Sequence, residues 1–333
     1  MTIRLLYPTF WAKRGILSFL LLPFSWLYRL AGFFRSLVAT PIRFPAKTIC
    51  IGNATVGGTG KTQIVLWLIK HLQKKNISFL VITKGYNSNL RGAKLVTEAD
   101  TASDVGDESV MLSKFSNVVA AKNIASALPI VKNLTPEIII FDDGMQNPNF
   151  IKDINILVID SHRGIGNGMI FPSGPLRESI DSAIEHCDII ITTGNDTYTD
   201  ISLINSFKES GKQFMHAQTT LVADLDKNKE YYAFAAIGNP QKFYDLLISN
   251  NITISKTQSF PDHHLYTSYD ILHLIDNAKK KNLTLITTKK DYVKISDLAN
   301  RPKCNINIDD IICASTELKL KKKDEEKIIK TCI

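Results

Sequence analysis

The sequence has 333 residues, of which 44% are hydrophobic and 22% are charged, and its formal net charge is +8 at pH 7. This composition excludes global disorder and leaves room for two domains, each with its own core. The positive charge suits a nucleic acid, an anionic membrane surface or a phosphorylated substrate equally well. Five cysteines without any C-x-x-C spacing exclude a disulfide framework and a zinc site, and they indicate a reduced, cytosolic chain.

The first 44 residues combine apolar and basic side chains. Residues 15–28 carry no charge, and no acidic residue precedes Glu98. The flanking basic residues are Arg4, Lys13, Arg14, Arg29 and Arg35. A spanning helix needs about 20 apolar residues, so this stretch is short for one. We expect an amphipathic segment at the cytoplasmic membrane interface. A single span and a helix pair packed on the protein's own core are the alternatives, and a signal peptide is excluded because no small-residue cleavage site follows.

A glycine-rich turn joins an apolar strand to an apolar helix at residues 49–67. The turn reads GNATVGGTGKT over residues 52–62, which predicts a phosphate-binding loop. Backbone N–H groups and the positive end of the helix dipole surround phosphate oxygens in such a loop. Lys61 is expected to reach the β- and γ-phosphates of ATP, and the Thr62 hydroxyl to ligate Mg²⁺. The loop is a variant, because Thr55 stands where the usual pattern has glycine. The residues predicted to bind the nucleotide are Thr55, Val56, Gly57, Gly58, Thr59, Gly60, Lys61 and Thr62.

Strand and helix patterns alternate after Pro45. Predicted strands cover residues 47–53, 77–83, 117–121, 137–143, 155–160 and 188–193, and the clearest helices cover 62–75 and 123–134. Near-continuous apolar strands that alternate with helices predict a P-loop NTPase-like, doubly wound parallel sheet. The alternation restarts in a second, smaller α/β domain, with predicted elements at 231–238, 240–249, 252–260, 268–281, 283–288 and 305–314. We therefore predict an N-terminal helical segment at 1–44, a P-loop domain at 45–220 and a small domain at 221–333, joined through residues 213–226.

Two carboxylates end the predicted strand at 137–143. In phosphate-loop proteins, the strand beside the loop ends in an acid that holds Mg²⁺. Asp142 and Asp143 are adjacent, so their side chains point to opposite faces of an extended strand. Only one of them can then face the phosphates, unless the turn at Gly144 brings the second one back. Capping of the following loop is the alternative role.

Three further segments carry candidate residues whose roles the spacing alone leaves open. Asp107 and Glu108 begin a predicted helix, where carboxylates either cap the helix or take part in chemistry. The FPDHH block at 260–264 supplies a base-orienting pair, metal ligands or only a polar turn. Arg177 follows a Pro/Gly turn, and its planar guanidinium suits a phosphate or a neighbouring glutamate.

Eight blocks in this order resemble the tetraacyldisaccharide 4'-kinases, which are the lipid A 4'-kinases of Gram-negative bacteria. The blocks are GNATVGGTGKT (52–62), KGY (84–86), VGDE (105–108), DDGMQ (142–146), PSGPLRE (172–178), AIGNP (236–240), FPDHH (260–264) and TTKKD (287–291). The loop alone is widespread, but the ordered set is specific. The basic, apolar N-terminus also matches this family, which acts on a lipid at the cytoplasmic face of the inner membrane.

The resemblance implies ATP-dependent phosphorylation of the 4'-hydroxyl of a tetraacyl glucosamine disaccharide 1-phosphate. It implies that Asp107 is the base and that His263, rather than His264, is its hydrogen-bonded partner. It places Glu108, Asp142 and Asp143 with Thr62 around Mg²⁺, and Arg177 with the nucleotide. The chain departs from the family pattern at four positions, which are Lys84 for arginine, Asn87 for glycine, Ser109 for proline and Asn147 for histidine.

The alternative function is a membrane-attached switch ATPase that acts on a protein partner and hydrolyses ATP to water. Such a protein has no need of Asp107 or His263. A nucleic-acid binder would interleave aromatic residues with a basic patch, but here these residues lie in the apolar N-terminus. We therefore expect no nucleic acid and no obligate protein partner.

Overall fold

The computed structural model describes residues 8–194, 201–223, 225–262, 264–300, 304 and 306–333. His263 and residue 305, the first of a predicted strand, lie outside these ranges. The described strands are β1 (Lys47–Gly52), β2 (Phe79–Thr83), β3 (Ala93–Leu95), β4 (Val118–Ala121), β5 (Ile138–Asp142), β6 (Ile154–Asp160), β7 (Ile189–Gly194), β8 (Gln213–Leu221), β9 (Glu230–Ala235), β10 (Thr253–Ser259), β11 (Thr284–Thr288), β12 (Ile311–Ala314) and β13 (Thr316–Lys319).

The α-helices lie between these strands and at both ends of the chain. They are α1 (Ile16–Leu20), α2 (Leu22–Leu37), α3 (Lys61–Lys74), α4 (Ala102–Val105), α5 (Asp107–Ser113), α6 (Leu128–Leu134), α7 (Ile180–Glu185), α8 (Ile201–Glu209), α9 (Pro240–Ser249), α10 (Ser268–Lys280), α11 (Lys289–Ala299) and α12 (Lys322–Cys332). Three 3₁₀ turns, at Thr9–Trp11, Ile124–Ala127 and Ile308–Asp310, complete the regular structure of the described ranges.

The larger sheet has nine strands within the described ranges, in the order β13-β8-β7-β6-β1-β5-β2-β4-β3. All neighbours from β8 to β4 are parallel, and β3 is antiparallel to β4. One face packs against α3, α5 and α12, and the other packs against α6, α7 and α8. Parallel sheets are covered on both faces in this way. The prediction of a doubly wound α/β sheet is confirmed, and the carboxyl ends of β1, β5, β6 and β7 meet at one edge.

The smaller sheet has the parallel order β10-β9-β11-β12, again within the described ranges. Its core contains Tyr232 and Phe234 of β9, packed with Ile271 and Leu274 of α10. A second α/β layer is therefore present after residue 221, as predicted.

The chain packs as two compact units, which differ from the predicted boundaries at both ends of the chain. The large unit comprises Thr9–Gln218 with Leu318–Ile333, and the small unit contains Thr219–Glu317. The C-terminal helix joins the large unit because Ile328 and Cys332 are buried in the core that also contains Leu68 of α3. The N-terminal helices belong to the large unit as well.

Three predicted elements are corrected by the structure. The predicted strand at 305–314 is shortened to β12, because a 3₁₀ turn at Ile308–Asp310 precedes it. The proposed connection at 213–226 begins with β8, a nine-residue strand that pairs with β7. Its buried residues Met215, Ala217 and Thr219 alternate with more exposed ones, so only one face is strongly covered. The predicted helix at 123–134 is a 3₁₀ turn followed by α6, which begins one residue before Pro129, where a proline fits a first helical turn.

Candidate functional site

The phosphate loop connects β1 to α3 at the carboxyl edge of the large sheet. Gly60 ends the loop with a φ of +86°, a conformation that glycine adopts at little cost, and α3 begins at Lys61. The Asn53 side chain braces the loop from within, because its amide donates to the Thr55 carbonyl across 2.6 Å. The backbone at residues 53–60 is therefore held in the geometry that the sequence motif requires.

Two neighbouring segments hold the loop from outside. The Val56 N–H donates to the Pro175 carbonyl and the Arg177 N–H donates to the Ala54 carbonyl, each across 2.7 Å. The Thr193 hydroxyl, from the end of β7, donates to the Thr59 carbonyl across 2.8 Å. The PSGPLRE block thus supports the phosphate loop as well as carrying Arg177.

Two cations converge on the carboxylate of Asp143. Arg177 donates through Nη1 to Asp143 Oδ1 across 2.8 Å, and Lys61 Nζ lies 3.6 Å from the same oxygen. The chain turns at Asp143 itself, whose φ is +64°. This turn follows the last residue of β5, Asp142, and brings the second carboxylate of the DD pair to Lys61. Positive φ in a non-glycine residue is strained and is often found at functional sites.

The charges around Asp143 shift two pKa values. Burial alone would raise the pKa of the Asp143 carboxyl, but Lys61 and Arg177 outweigh burial and lower that pKa to about 2. Lys84 follows β2, and burial lowers the pKa of its amine, while Asp143 opposes this and Arg177 and Arg35 add to it. The site is therefore an electropositive cluster around one ionised carboxylate, which suits a polyanionic ligand.

The oxygen donors predicted for Mg²⁺ lie on the same edge of the sheet. Asp142 is buried at the end of β5, Asp143 follows it, and Thr62 is in the first turn of α3. In the described part of the chain, no three His, Cys, Asp or Glu side chains form a cluster that could hold a metal alone. Hard carboxylate and hydroxyl oxygens nevertheless fit Mg²⁺, which commonly takes one or two protein carboxylates together with phosphates and water.

Asp107 and Glu108 begin α5 beside the segment that follows β2. Gly106 precedes them with a φ of +91°, and a Cβ at this position would approach the Tyr86 carbonyl to 2.9 Å. Asp107 Oδ1 accepts the Glu108 N–H across 2.9 Å. Ser109, which replaces a family proline, holds the helix start through its 2.6 Å contact with the Thr83 hydroxyl. Both carboxylates therefore lie at the start of a helix. This position fits helix capping as well as a part in the chemistry.

Gln146 lies close to the predicted residues, although it is not itself one of the predicted site residues. Its side-chain amide donates to the Asn53 carbonyl and to Glu178, each across 2.9 Å. Its main-chain carbonyl accepts from Arg35 of α2 across 2.6 Å. Its position in the DDGMQ block is the sequence feature that could have identified it as a site residue. Asn147, the departure from the family histidine, accepts the Asn149 N–H through its side-chain oxygen and so stabilises a turn.

Two of the three late blocks meet within the small unit. The Ala236 N–H of the AIGNP block donates to Asp291 Oδ2 of the TTKKD block across 2.9 Å. His264 stacks on Phe260, and its Nε2 lies 3.3 Å from the helix-capping Asp270. The described histidine of the FPDHH block thus has a local partner within its own unit, and the role of His263 stays a prediction.

Comparisons with known proteins give one consistent family. The LpxK family, described as tetraacyldisaccharide-1-P 4'-kinase, matches residues 17–333. The tetraacyldisaccharide 4'-kinase of Rickettsia felis is 44% identical over 330 residues, which cover 98% of each chain. The corresponding protein of Rickettsia akari is 43% identical over 330 residues, with the same coverage.

A solved structure shares the fold. The crystal structure titled as an "apo" form of LpxK from Aquifex aeolicus in complex with ATP superposes with a TM-score of 0.72 and 24% sequence identity. The match covers 96% of this chain and 100% of that one. Because the family match extends over almost the whole sequence, this chain belongs to the tetraacyldisaccharide-1-P 4'-kinase family.

Proposed function

We propose that the protein transfers the γ-phosphoryl group of ATP to the 4'-hydroxyl of a tetraacyldisaccharide 1-phosphate, a reaction of lipid A synthesis. This proposal rests on the contacts that Asp143 makes with Arg177 and with Lys61, the first residue of α3. Phosphoryl transfer depends mainly on positioning and on charge neutralisation, which these groups supply. The acceptor is inferred from the kinase family to which the chain belongs.

ATP is held by the phosphate loop in this proposal. The backbone N–H groups of residues 57–62 face the phosphate oxygens, and the dipole of α3 favours their negative charge. Lys61 and Arg177 exchange their contacts with Asp143 for contacts with phosphate. Thr62, Asp142, Asp143 and Glu108 would hold Mg²⁺, which would supply positive charge to the transferring phosphates.

Asp107 accepts the proton of the 4'-hydroxyl as the hydroxyl oxygen attacks the γ-phosphorus. The bond between the γ-phosphorus and the β,γ-bridging oxygen then breaks, and ADP leaves with that electron pair. A Cβ at Gly106 would approach the Tyr86 carbonyl to 2.9 Å, so the backbone just before Asp107 runs close to the segment that follows β2.

The N-terminal helices lie on the cytoplasmic face of the inner membrane in this proposal. No helix among the described residues is long and apolar enough to cross a bilayer. Thirteen large apolar side chains between Ile16 and Val38 are exposed, whereas Ser18 and Ser25 are buried. Ser25 donates to the Ile170 carbonyl across 2.7 Å. A segment with its hydroxyls inside and its apolar side chains outside is suited to a lipid interface, where the acyl chains of the acceptor also reside.

The test is ADP release by the purified protein with Mg-ATP, with and without tetraacyldisaccharide 1-phosphate in detergent micelles. Acceptor-dependent release that falls about 10²–10⁴-fold in Asp107→Ala supports the kinase and its base. Asp104→Ala is the matched control, because Asp104 belongs to the same segment but only caps α4 from an exposed position. Release that is indifferent to the acceptor and to Asp107 would leave a switch ATPase instead.

A further inference from the structure

The last turn of α2 contacts the turn that follows β5. Arg35 lies in this turn, and its Nη2 donates to the main-chain carbonyl of Gln146 across 2.6 Å. Gln146 is 111 residues away in the sequence and ends the turn that begins with Asp142 and Asp143. An exposed helix of apolar character is thereby attached to the loop that carries the predicted metal ligands.

Gln146 extends this contact to the nucleotide-binding elements. Its Nε2 donates to the Asn53 carbonyl at the start of the phosphate loop and to Glu178 Oε1, each across 2.9 Å. Its Oε1 lies 3.5 Å from Nη1 of Arg177, the guanidinium that binds Asp143. One residue thus links the end of α2 to the phosphate loop, to the PSGPLRE block and to the ion cluster.

The N-terminal segment is attached to the same supports at a second place. Ser25 is hydrogen-bonded to Ser173 across 2.8 Å, and the Trp11 indole N–H donates to the Pro172 carbonyl across 2.9 Å. The segment 172–177 ends at Arg177, whose N–H donates to the Ala54 carbonyl of the phosphate loop. The Ser25 attachment uses the inner, polar face of the N-terminal helices, whose outer face is apolar and exposed, whereas Arg35 is itself exposed.

We propose that Arg35 is a positioning residue that couples the membrane-facing helix α2 to phosphoryl transfer through the carbonyl of Gln146. The proposal rests on the kinase function proposed above. When α2 is seated on the lipid surface, Arg35 holds the turn of Asp143 and Gln146, and Gln146 holds the phosphate loop. Arg35 also adds to the positive field at the site, as its effect on the Lys84 amine shows. Loss of the Arg35 side chain therefore lowers the rate of transfer more than it lowers acceptor binding.

The experiment compares Arg35→Met with Arg29→Met. Arg29 lies in the same helix and is exposed. Each substitution removes one positive charge, so each weakens attraction to anionic lipid by a similar amount. Only Arg35→Met removes the hydrogen bond to Gln146. Rates are measured with saturating Mg-ATP over a range of tetraacyldisaccharide 1-phosphate in mixed micelles, and thermal unfolding of every variant checks that it is folded.

We expect kcat of Arg35→Met to fall about tenfold relative to Arg29→Met, the loss of one charge-assisted hydrogen bond, with KM for the acceptor within about twofold. Arg35→Lys, which keeps a charged donor, restores part of kcat. Equal kcat values for the two methionine variants overturn the proposal, and so does a raised KM with unchanged kcat, which would make Arg35 a ligand of the acceptor. Absence of acceptor-dependent ADP release from the unmodified protein would instead contradict the kinase function itself.

Discussion

Arg177 donates to the Asp143 carboxylate across 2.8 Å, and this carboxylate stands directly after the end of β5. Lys61, at the start of α3, lies 3.6 Å from the same oxygen. Three segments that are far apart in the sequence are therefore joined by one carboxylate before any nucleotide binds. Because the cluster carries two cations and one anion, it retains excess positive charge for a phosphate.

The ionised state of Asp143 predicts a pH-dependent contribution to stability. The pKa of this carboxyl is lowered from 3.8 to about 2, so its ion pairs stabilise the fold above about pH 4 and are lost as the pH falls through 2. The contribution at neutral pH is about 2 kcal/mol. Asn is the appropriate substitution, because it tolerates the positive φ of this position.

We expect the difference in unfolding free energy between the wild type and Asp143→Asn to be largest above pH 4 and to shrink towards pH 2. Urea unfolding at several pH values measures this difference. A difference that stays constant between pH 5 and pH 2 would show that the Asp143 carboxylate is not the titrating group.

Gly60→Ala should disturb the phosphate loop in two ways. A residue with a side chain is strained at φ +86°, at a cost of about 1–2 kcal/mol. The added Cβ would also lie 3.1 Å from the Thr193 hydroxyl, which donates to Thr59. We expect affinity for a fluorescent ATP analogue to fall at least about tenfold, the equivalent of 1.4 kcal/mol.

Gly211→Ala is the control for Gly60→Ala. Gly211 also has a positive φ, +70°, but a Cβ added there would meet no atom of the described residues within 4 Å. This variant shares the backbone strain without touching the loop, so its affinity for the ATP analogue should match that of the wild type. A similar loss of affinity in both variants would attribute the effect to general destabilisation.

The sequence was informative where function depends on local backbone geometry. The phosphate loop could be placed to within one residue, because glycine spacing and the strand and helix that flank it are local features. The alternation of apolar runs predicted the parallel sheet for the same reason. β8 was missed because Gln213, His216 and Gln218 interrupt the apolar pattern, and only the pairing with β7 makes the strand evident.

Long-range contacts to main-chain atoms could not be predicted. Arg35 and Asn53 meet Gln146 through carbonyl oxygens, which every residue carries, so no side-chain pattern marks the contacts. The turn at Asp143 was left open, because the strand rule placed the two aspartates on opposite faces and no local signal fixed the positive φ. The buried serines of the N-terminal segment did leave a signal, since Ser18 of α1 and Ser25 of α2 are polar residues within an otherwise apolar stretch.

The packing of α2 predicts that substitutions of its serines Ser25 and Ser36 differ in their effect on the stability of the protein. Ser25 is buried and bonded to Ile170 and Ser173, whereas Ser36 is exposed and bonds only within its helix. Ser25→Leu overpacks the contact and removes the hydrogen bonds of the Ser25 hydroxyl with the Ile170 carbonyl and with Ser173, which together cost about 2–4 kcal/mol. Ser36→Leu should be within about 0.5 kcal/mol of the wild type.

Thermal unfolding measures this comparison. Because about 1 kcal/mol corresponds to roughly 2–4 °C in a unit of this size, we expect Ser25→Leu to lower Tm by about 5 °C or more. Ser36→Leu should leave Tm almost unchanged. Equal Tm values for the two variants would mean that α2 does not pack through its serine face.

The outer face of the N-terminal helices predicts binding to lipid vesicles. Trp26 and Phe33 are 70% and 57% exposed, so replacing both by serine removes apolar area without opening a cavity in the core. Each CH₂ that enters the membrane contributes about 0.8 kcal/mol, and each nearby Arg or Lys about 1 kcal/mol over anionic lipid. We expect the double variant to lose at least about tenfold in affinity for anionic vesicles in a sedimentation assay.

Tyr269→Ser provides the control for surface hydrophobicity, because Tyr269 is 77% exposed but belongs to the small unit. Its removal should leave vesicle binding unchanged. Binding of the wild type should weaken as salt is raised, since Arg29 and Arg35 act through screened charge. If the double variant and Tyr269→Ser bind vesicles equally well, the exposed apolar face of α2 does not meet the membrane and must be covered by something else.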